Sequence, residues 1–327
     1  MKKVVVLLVC VVVVLAGYIV LDKSGIELPS FGAKKAYEQG KAFYDNKEYD
    51  KAFEPLKKAC DSDIADGCRM LGTLYADGDG VEKNEQQAVE LYKKACDGGE
   101  MSGCTSLGVM YKKGFGVEKN EQKAVELYKK ACDGGDMLGC AGLGFMYEVG
   151  VGVEKDLGKA AQLYKKACDG GEMLGCGGLG VMYEYGNGVE KNEQKAAELF
   201  KKACDLKNAF FCSTLANLYN QGKEIKKDAK KAFTYWQKAC DLDYFNACDS
   251  VAWAYLSGNG VRQSYKYAFD YAQKACENGV AFGCRRVGYL YYIGNGVRQD
   301  MRLAKEYFGK ACDLGDEESC EEYKQTR

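Results

Sequence analysis

The chain has 327 residues, with 46 basic and 47 acidic side chains, 17 cysteines, 40 glycines, 2 prolines and no histidine. Without imidazole there is no Ser-His-Asp or Cys-His nucleophile system and no histidine-ligated zinc or haem site, and a net charge of −1 leaves no electrostatic footprint for duplex nucleic acid. At 47% apolar and 28% charged residues the composition is that of a folded chain, and scarce proline leaves long stretches free to be helical.

In chain order, Met1-Lys2-Lys3 precedes an unbroken apolar run from Val4 to Leu21. A basic start followed by an apolar run directs a chain through the secretory membrane with its lysines kept inside. Residues 1–21 are therefore a signal peptide or a signal anchor. Val14-Leu15-Ala16 offers a small-residue cleavage site, whereas the uncleaved run would span roughly 27 Å. The rest of the chain is expected to be periplasmic or secreted, with inner-membrane anchoring through residues 4–21 if the segment is retained. Cys10 belongs to this segment, and Leu8-Val9 before it lacks the small residue that precedes a lipidated cysteine. Residues 22–30 read as a polar linker and 31–60 as an N-terminal capping hairpin, in which Pro55 replaces the position of Leu91 and is predicted to kink or displace the second helix.

From residue 61 to 316 the chain reads as seven 36-residue repeats. Cysteines fall at 60/68, 96/104, 132/140, 168/176, 204/212, 240/248, 276/284 and 312/320, without insertion or deletion, which marks a tandem array. In the unit from Cys104 to Cys140, Leu107, Met110 and Tyr111 form the apolar stripe of a first helix, A, which ends at Gly114. Asn120 and its counterparts Asn84, Asp156, Asn192, Asp228, Ser264 and Asp300 are N-caps of a second helix, B, whose stripe is Ala124, Leu127, Tyr128 and Ala131. Gly108, Gly144, Gly180 and Ala216 allow close approach of a neighbouring helix. A period of 36 lies close to that of tetratricopeptide arrays, so each unit is expected to be an antiparallel helical hairpin. The charged segment 317–327 caps the last one.

Each Cys-x7-Cys lies across the turn from helix B to the next helix A. In one continuous helix the two residues would stand roughly 12 Å apart, whereas a helix end, a turn and a helix start can bring the sulfurs together. Eight local disulfides are read: Cys60–Cys68, Cys96–Cys104, Cys132–Cys140, Cys168–Cys176, Cys204–Cys212, Cys240–Cys248, Cys276–Cys284 and Cys312–Cys320. Buried free thiols in a reducing compartment are the alternative. Zinc ligation fits less well, because seven intervening residues exceed the usual two to four, and no metal or cofactor is expected.

The unit Leu107-Gly108-x-Met-Tyr-x-x-Gly114-x-Gly116-Val-Glu-Lys-Asn120-x-x-Lys-Ala124-x-x-Leu127-Tyr128-Lys-Lys-Ala131-Cys132-Asp133 resembles the Sel1-like repeat. With a cysteine pair in every unit and an export segment, the chain from about Phe31 onward resembles the Helicobacter cysteine-rich protein (Hcp) family. That resemblance implies an all-α, right-handed α/α solenoid, residence outside the cytoplasm, and a β-lactamase label attached to weak hydrolysis or binding of penicillins. It also implies host or cell-envelope interactions. None of the ten serines begins Ser-x-x-Lys, and Lys-Thr-Gly and Ser-Asp-Asn are absent, so no catalytic residue is identified. Glu148 and Glu184 are the carboxylates that could activate a water.

In tetratricopeptide-like arrays one face of helix A lines a concave groove, and here the positions one, five and eight after the second cysteine share such a face. Arg69, Thr73, Phe145, Glu148, Glu184, Asn217, Asn220, Trp253, Arg285 and Tyr289 are its candidate ligand residues. Amides beside aromatic platforms suit a peptide, muropeptide or β-lactam ligand, or another envelope or host protein. Trp253 and Tyr289 packing between adjacent A helices is the alternative. A monomer with no nucleic-acid partner is expected.

Overall fold

The computed structural model describes residues 29–326, which form 17 helices and no strand. The apolar run 4–21, Cys10 and the linker up to residue 28 lie outside the described residues. Contacts divide the chain into two compact units, one up to Leu127 and one from Tyr128.

The first unit begins with α1 (Pro29–Asp45) and α2 (Tyr49–Asp61), followed by α3 (Ala65–Asp77), α4 (Glu85–Asp97), α5 (Met101–Lys113) and the start of α6 (Glu121–Asp133). Helix α1 starts at Pro29, two residues ahead of the hairpin boundary expected from the sequence; the first turn of a helix tolerates proline because its N–H has no intrahelical partner. Helix α2 runs through Pro55 without a break in the helix from Tyr49 to Asp61. Its stripe of Ala52, Leu56, Ala59 and Cys60 is buried on both sides of the proline, and this packing holds the helical path.

The second unit contains α7 (Met137–Val149) and α8 (Leu157–Asp169), α9 (Met173–Tyr185) and α10 (Glu193–Asp205), and α11 (Ala209–Gln221) and α12 (Ala229–Asp241). It continues with α13 (Phe245–Ser257) and α14 (Tyr265–Glu277), α15 (Ala281–Ile293) and α16 (Met301–Asp313), and ends in α17 (Glu317–Gln325).

Each of the seven hairpins from α3–α4 onward is closed the same way. Helix A stops at a left-handed glycine, such as Gly150 with φ 75°, whose N–H donates to the Met146 carbonyl at 2.9 Å. The B-helix cap residue then uses both its backbone and its side chain. Asp156 donates its N–H to the Tyr147 carbonyl of helix A at 3.0 Å, and its carboxylate accepts from Lys159 N–H at 2.9 Å. All seven predicted caps accept such an amide, at 2.9–3.4 Å.

Most hairpins stack through one aromatic side chain on helix B, four residues before its cysteine; α14 has Ala272 there. Tyr164 of α8 is buried with Gly144 of its own helix A on one side and Gly178 of the following α9 on the other; a Cβ at these glycines would approach the ring to 3.1 and 2.8 Å. Phe200 packs on Gly180 in the same way. Lysines tie consecutive repeats together: Lys94 Nζ donates to the Cys60 carbonyl at 2.7 Å, and Lys166 and Lys274 donate to those of Cys132 and Cys240 at 3.0 Å. They place a cation on the carbonyl end of the preceding B helix.

All eight disulfides are formed as expected, with Cα–Cα distances of 4.4–4.8 Å. The sulfurs sit where the end of one helix B meets the start of the next helix A, so each bond fixes the angle between consecutive repeats.

Candidate functional site

The helix-A positions nominated from the sequence separate by depth. Position one is covered by the neighbouring repeat in most units: Thr105, Ala141, Ser213 and Asp249 are buried, and a Cβ at Gly177 would meet the Phe211 ring at 1.9 Å. Asp249 accepts from Arg286 of the next helix A at 2.5 and 3.2 Å. Arg69 and Arg285, the two candidates at this position, are held in ion pairs, Arg69 with Asp66 at 2.5 Å and Arg285 with Asp316 at 3.6 Å and with Glu318. Arg69 thus pairs within its own helix, whereas Arg285 reaches from α15 to the start of α17, and both keep about a quarter of their side-chain surface exposed. Position one is the fifth residue of helix A.

Position five remains open. In the first unit Thr73 is half-buried and accepts from the Tyr92 hydroxyl at 3.2 Å. In the second unit Phe145, Asn217, Trp253 and Tyr289 are exposed on α7, α11, α13 and α15, whereas Val181 on α9 is half-buried. Asn217 and Trp253 are joined through a residue the sequence reading passed over. Trp236, buried on helix B (α12) of the hairpin that carries Asn217, donates its indole N–H to Asn217 Oδ1 at 2.9 Å and meets Trp253 of the next hairpin edge to face, with ring centroids 6.4 Å apart. The signal was present, because the other units carry tyrosine, phenylalanine or alanine where Trp236 stands. Trp253 retains 37% of its surface and Tyr289 48%, so both present an aromatic face while Trp236 fixes the orientation of the first.

Position eight supplies the polar margin. Asn220 accepts from the Asn259 side-chain amide at 3.1 Å, which links α11 to the loop of the next hairpin. Glu148 accepts the Tyr164 hydroxyl at 2.7 Å, and burial, followed by this bond, pushes the tyrosine's pKa well above the usual phenol range. In the next repeat Phe200 stands where Tyr164 stood, so the corresponding Glu184 has no hydroxyl to bind. Burial, and next Glu193, push the Glu184 carboxyl above its usual range, against the pull of Lys223 and Lys191. Of the two carboxylates considered as water activators, Glu148 is thus a structural acceptor, whereas Glu184 is a desolvated carboxyl at the edge of the surface.

Among the described residues no cluster of three or more Cys, Asp or Glu side chains could hold a metal ion, and no helix is long and apolar enough to cross a membrane.

The Sel1 repeat family model matches seven segments, residues 65–100, 102–136, 138–172, 174–208, 212–244, 246–280 and 281–316. No curated protein matches the chain. Among solved structures, a Sel1 repeat protein from Oxalobacter formigenes is 24% identical over 91% of this chain and 88% of its own, with a TM-score of 0.65, a likeness of fold. Cysteine-rich protein B of Helicobacter pylori is 33% identical over 51% of this chain and 94% of its own, with a TM-score of 0.23. A protective antigen of uropathogenic Escherichia coli is 26% identical over 90% of this chain and 79% of its own, with a TM-score of 0.45.

Proposed function

The chain belongs to the Sel1 repeat family, and on that premise we propose that it is an exported, disulfide-stapled scaffold that binds an extended peptide-like ligand along the open helix-A positions of its second unit. A protein or peptide partner fits the family, whose repeats generally mediate protein–protein contacts. Export is supported by the eight disulfides, which persist in oxidising compartments, and by the basic and apolar start of the sequence.

The observation that carries the binding reading is the linked set Asn217, Trp236 and Trp253. An aromatic face held open and oriented by a buried neighbour gives up little side-chain freedom on binding, and a carboxamide next to it can bond a backbone amide. Tyr289 extends the surface by one repeat. The candidate ligands are a peptide, a peptidoglycan-related muropeptide or a penicillin-like compound, each of which combines amide groups with apolar surface.

Both tryptophans of the chain lie in this set, so intrinsic fluorescence reports it directly. Titration with extended peptides, muropeptides and penicillins is expected to give a saturable change for one class, weakened at least tenfold in Trp253→Ala and in Asn217→Ala, about 1.4 kcal/mol. Absence of saturable binding by all three classes, or binding indifferent to both substitutions, refutes the proposal.

A further inference from the structure

A cleft lies in the first unit, away from the residues assigned above. It measures ≈ 310 Å³ between α3–α4 and α5, with Tyr92 and Met110 as its floor and Phe115 at its mouth. Tyr92 and Met110 are buried, and the Tyr92 hydroxyl is fixed by Thr73. Phe115 is 42% exposed although it is a phenyl group on a loop. Three charged residues line the rim. Lys83 Nζ is 3.0 Å from Glu85 Oε1, so those two compensate each other. Asp77 has no ion pair or hydrogen bond among the described residues, and it is the last residue of α3, where the helix dipole adds partial negative charge. The lining therefore combines an apolar floor with one uncompensated carboxylate.

This combination is particular to one repeat. The counterparts of Asp77 along the array are Lys113, Val149, Tyr185, Gln221, Ser257 and Ile293, and those of Phe115 are Val151, Asn187, Lys223, Asn259 and Asn295. Lys113 Nζ stands 5.5 Å from the Phe115 ring centroid, so one face of the ring already carries an ammonium of this chain and the ring offers the ligand its remaining exposed surface.

We propose that this cleft receives a lysine-type side chain, a primary ammonium on an unbranched aliphatic stem, presented by a peptide or protein. The stem lies over Met110, Tyr92 and Phe115, and the ammonium pairs with Asp77. The site is independent of the aromatic surface of the second unit, and its test does not depend on that reading.

The probes are Nα-acetyl-lysine N-methylamide and the norleucine analogue, which keeps the stem and lacks the ammonium, titrated by calorimetry or ligand-observed NMR against the full chain. Saturable binding of the lysine probe is expected, with a Kd on the order of 1 mM and at least tenfold tighter than that of norleucine. Asp77→Asn is expected to abolish that preference, and Phe115→Ser to weaken both probes, with the thermal unfolding midpoint unchanged because both residues are exposed. Raising the ionic strength should weaken the lysine probe alone, a readout that needs no variant. Equal binding of the two probes, no saturable binding of either, or a preference that survives Asp77→Asn overturns the proposal.

Discussion

Lys207 occupies a backbone conformation that five other repeats give to glycine. At the turn from helix B to the next helix A, Gly99, Gly135, Gly171, Gly279 and Gly315 have φ between 79° and 94°, whereas Asp63, Lys207 and Asp243 adopt φ of 61–66° at the same place. The turn needs this geometry because the residue's N–H must reach the carbonyl of the cysteine three residues earlier; Lys207 does so to Cys204 at 3.0 Å and Gly279 to Cys276 at 3.0 Å. A side chain in the left-handed region costs about 1 kcal/mol, and no atom lies within 4 Å of a Cβ built at Gly279. The effect is therefore one of backbone preference alone. Lys207→Gly is expected to raise unfolding stability by about 1 kcal/mol and Gly279→Ala to lower it by a similar amount. Urea unfolding monitored by circular dichroism checks both, and shifts of the same sign in the two variants would contradict this account.

Between helices the sign of a glycine substitution depends on what its methyl would touch. Gly158, the second residue of α8, has only the Asp156 carboxylate near a built Cβ, at 3.4 Å, so Gly158→Ala is expected to stabilise by about 0.5–1 kcal/mol through helix propensity. Gly178 on α9 faces Tyr164 at 2.8 Å, and Gly178→Ala is expected to destabilise by about 1–3 kcal/mol, because the ring is confined from the other side by Gly144. Equilibrium unfolding of the two single variants separates propensity from packing, and stabilisation by both would mean that the hairpins yield freely. This contrast also marks how far the sequence could be read. The caps, the helix ends and the cysteine pairs depend on residues close in sequence, and Asn192, Gly186 and Cys168–Cys176 all behave as their local chemistry dictates. Which face of helix A remains open depends on the angle at which the next repeat stacks. That angle is not a local property, so the sequence did not reveal that Arg285 reaches Asp316 and Glu318 at the start of α17 while Arg69 pairs within its own helix with Asp66. The packing around Pro55 is non-local in the same way, since the buried stripe of α2 meets neighbours from other helices.

Over the whole chain, each hairpin touches chiefly its sequence neighbours, so stability is distributed as hairpin contributions plus nearest-neighbour interfaces. The disulfides act on that distribution unequally. Each closes a short local loop and stabilises by roughly 2.5 kcal/mol in the chain-entropy model, but what a lost staple releases depends on how many neighbours hold its hairpins. Cys204 and Cys212 are fully buried where α10 meets α11, with packed repeats on either side. Cys312 and Cys320 are only half-buried and join α16 to the terminal α17, which has one neighbour and keeps one carboxylate oxygen, Glu322 Oε2, buried without a hydrogen-bond partner. Replacing Cys204 and Cys212 together by alanine is expected to weaken the main urea transition by roughly 2.5 kcal/mol and to broaden it, because the array loses cooperativity across an interior junction. The same replacement of Cys312 and Cys320 is expected to leave that transition nearly in place and to expose only the last helix to limited proteolysis. Non-reducing peptide mapping of the unaltered chain supplies the control, with every linkage joining cysteines eight residues apart. Equal loss of stability from the interior and terminal pairs would show that the repeats unfold as one indivisible unit, and the nearest-neighbour description would then fail.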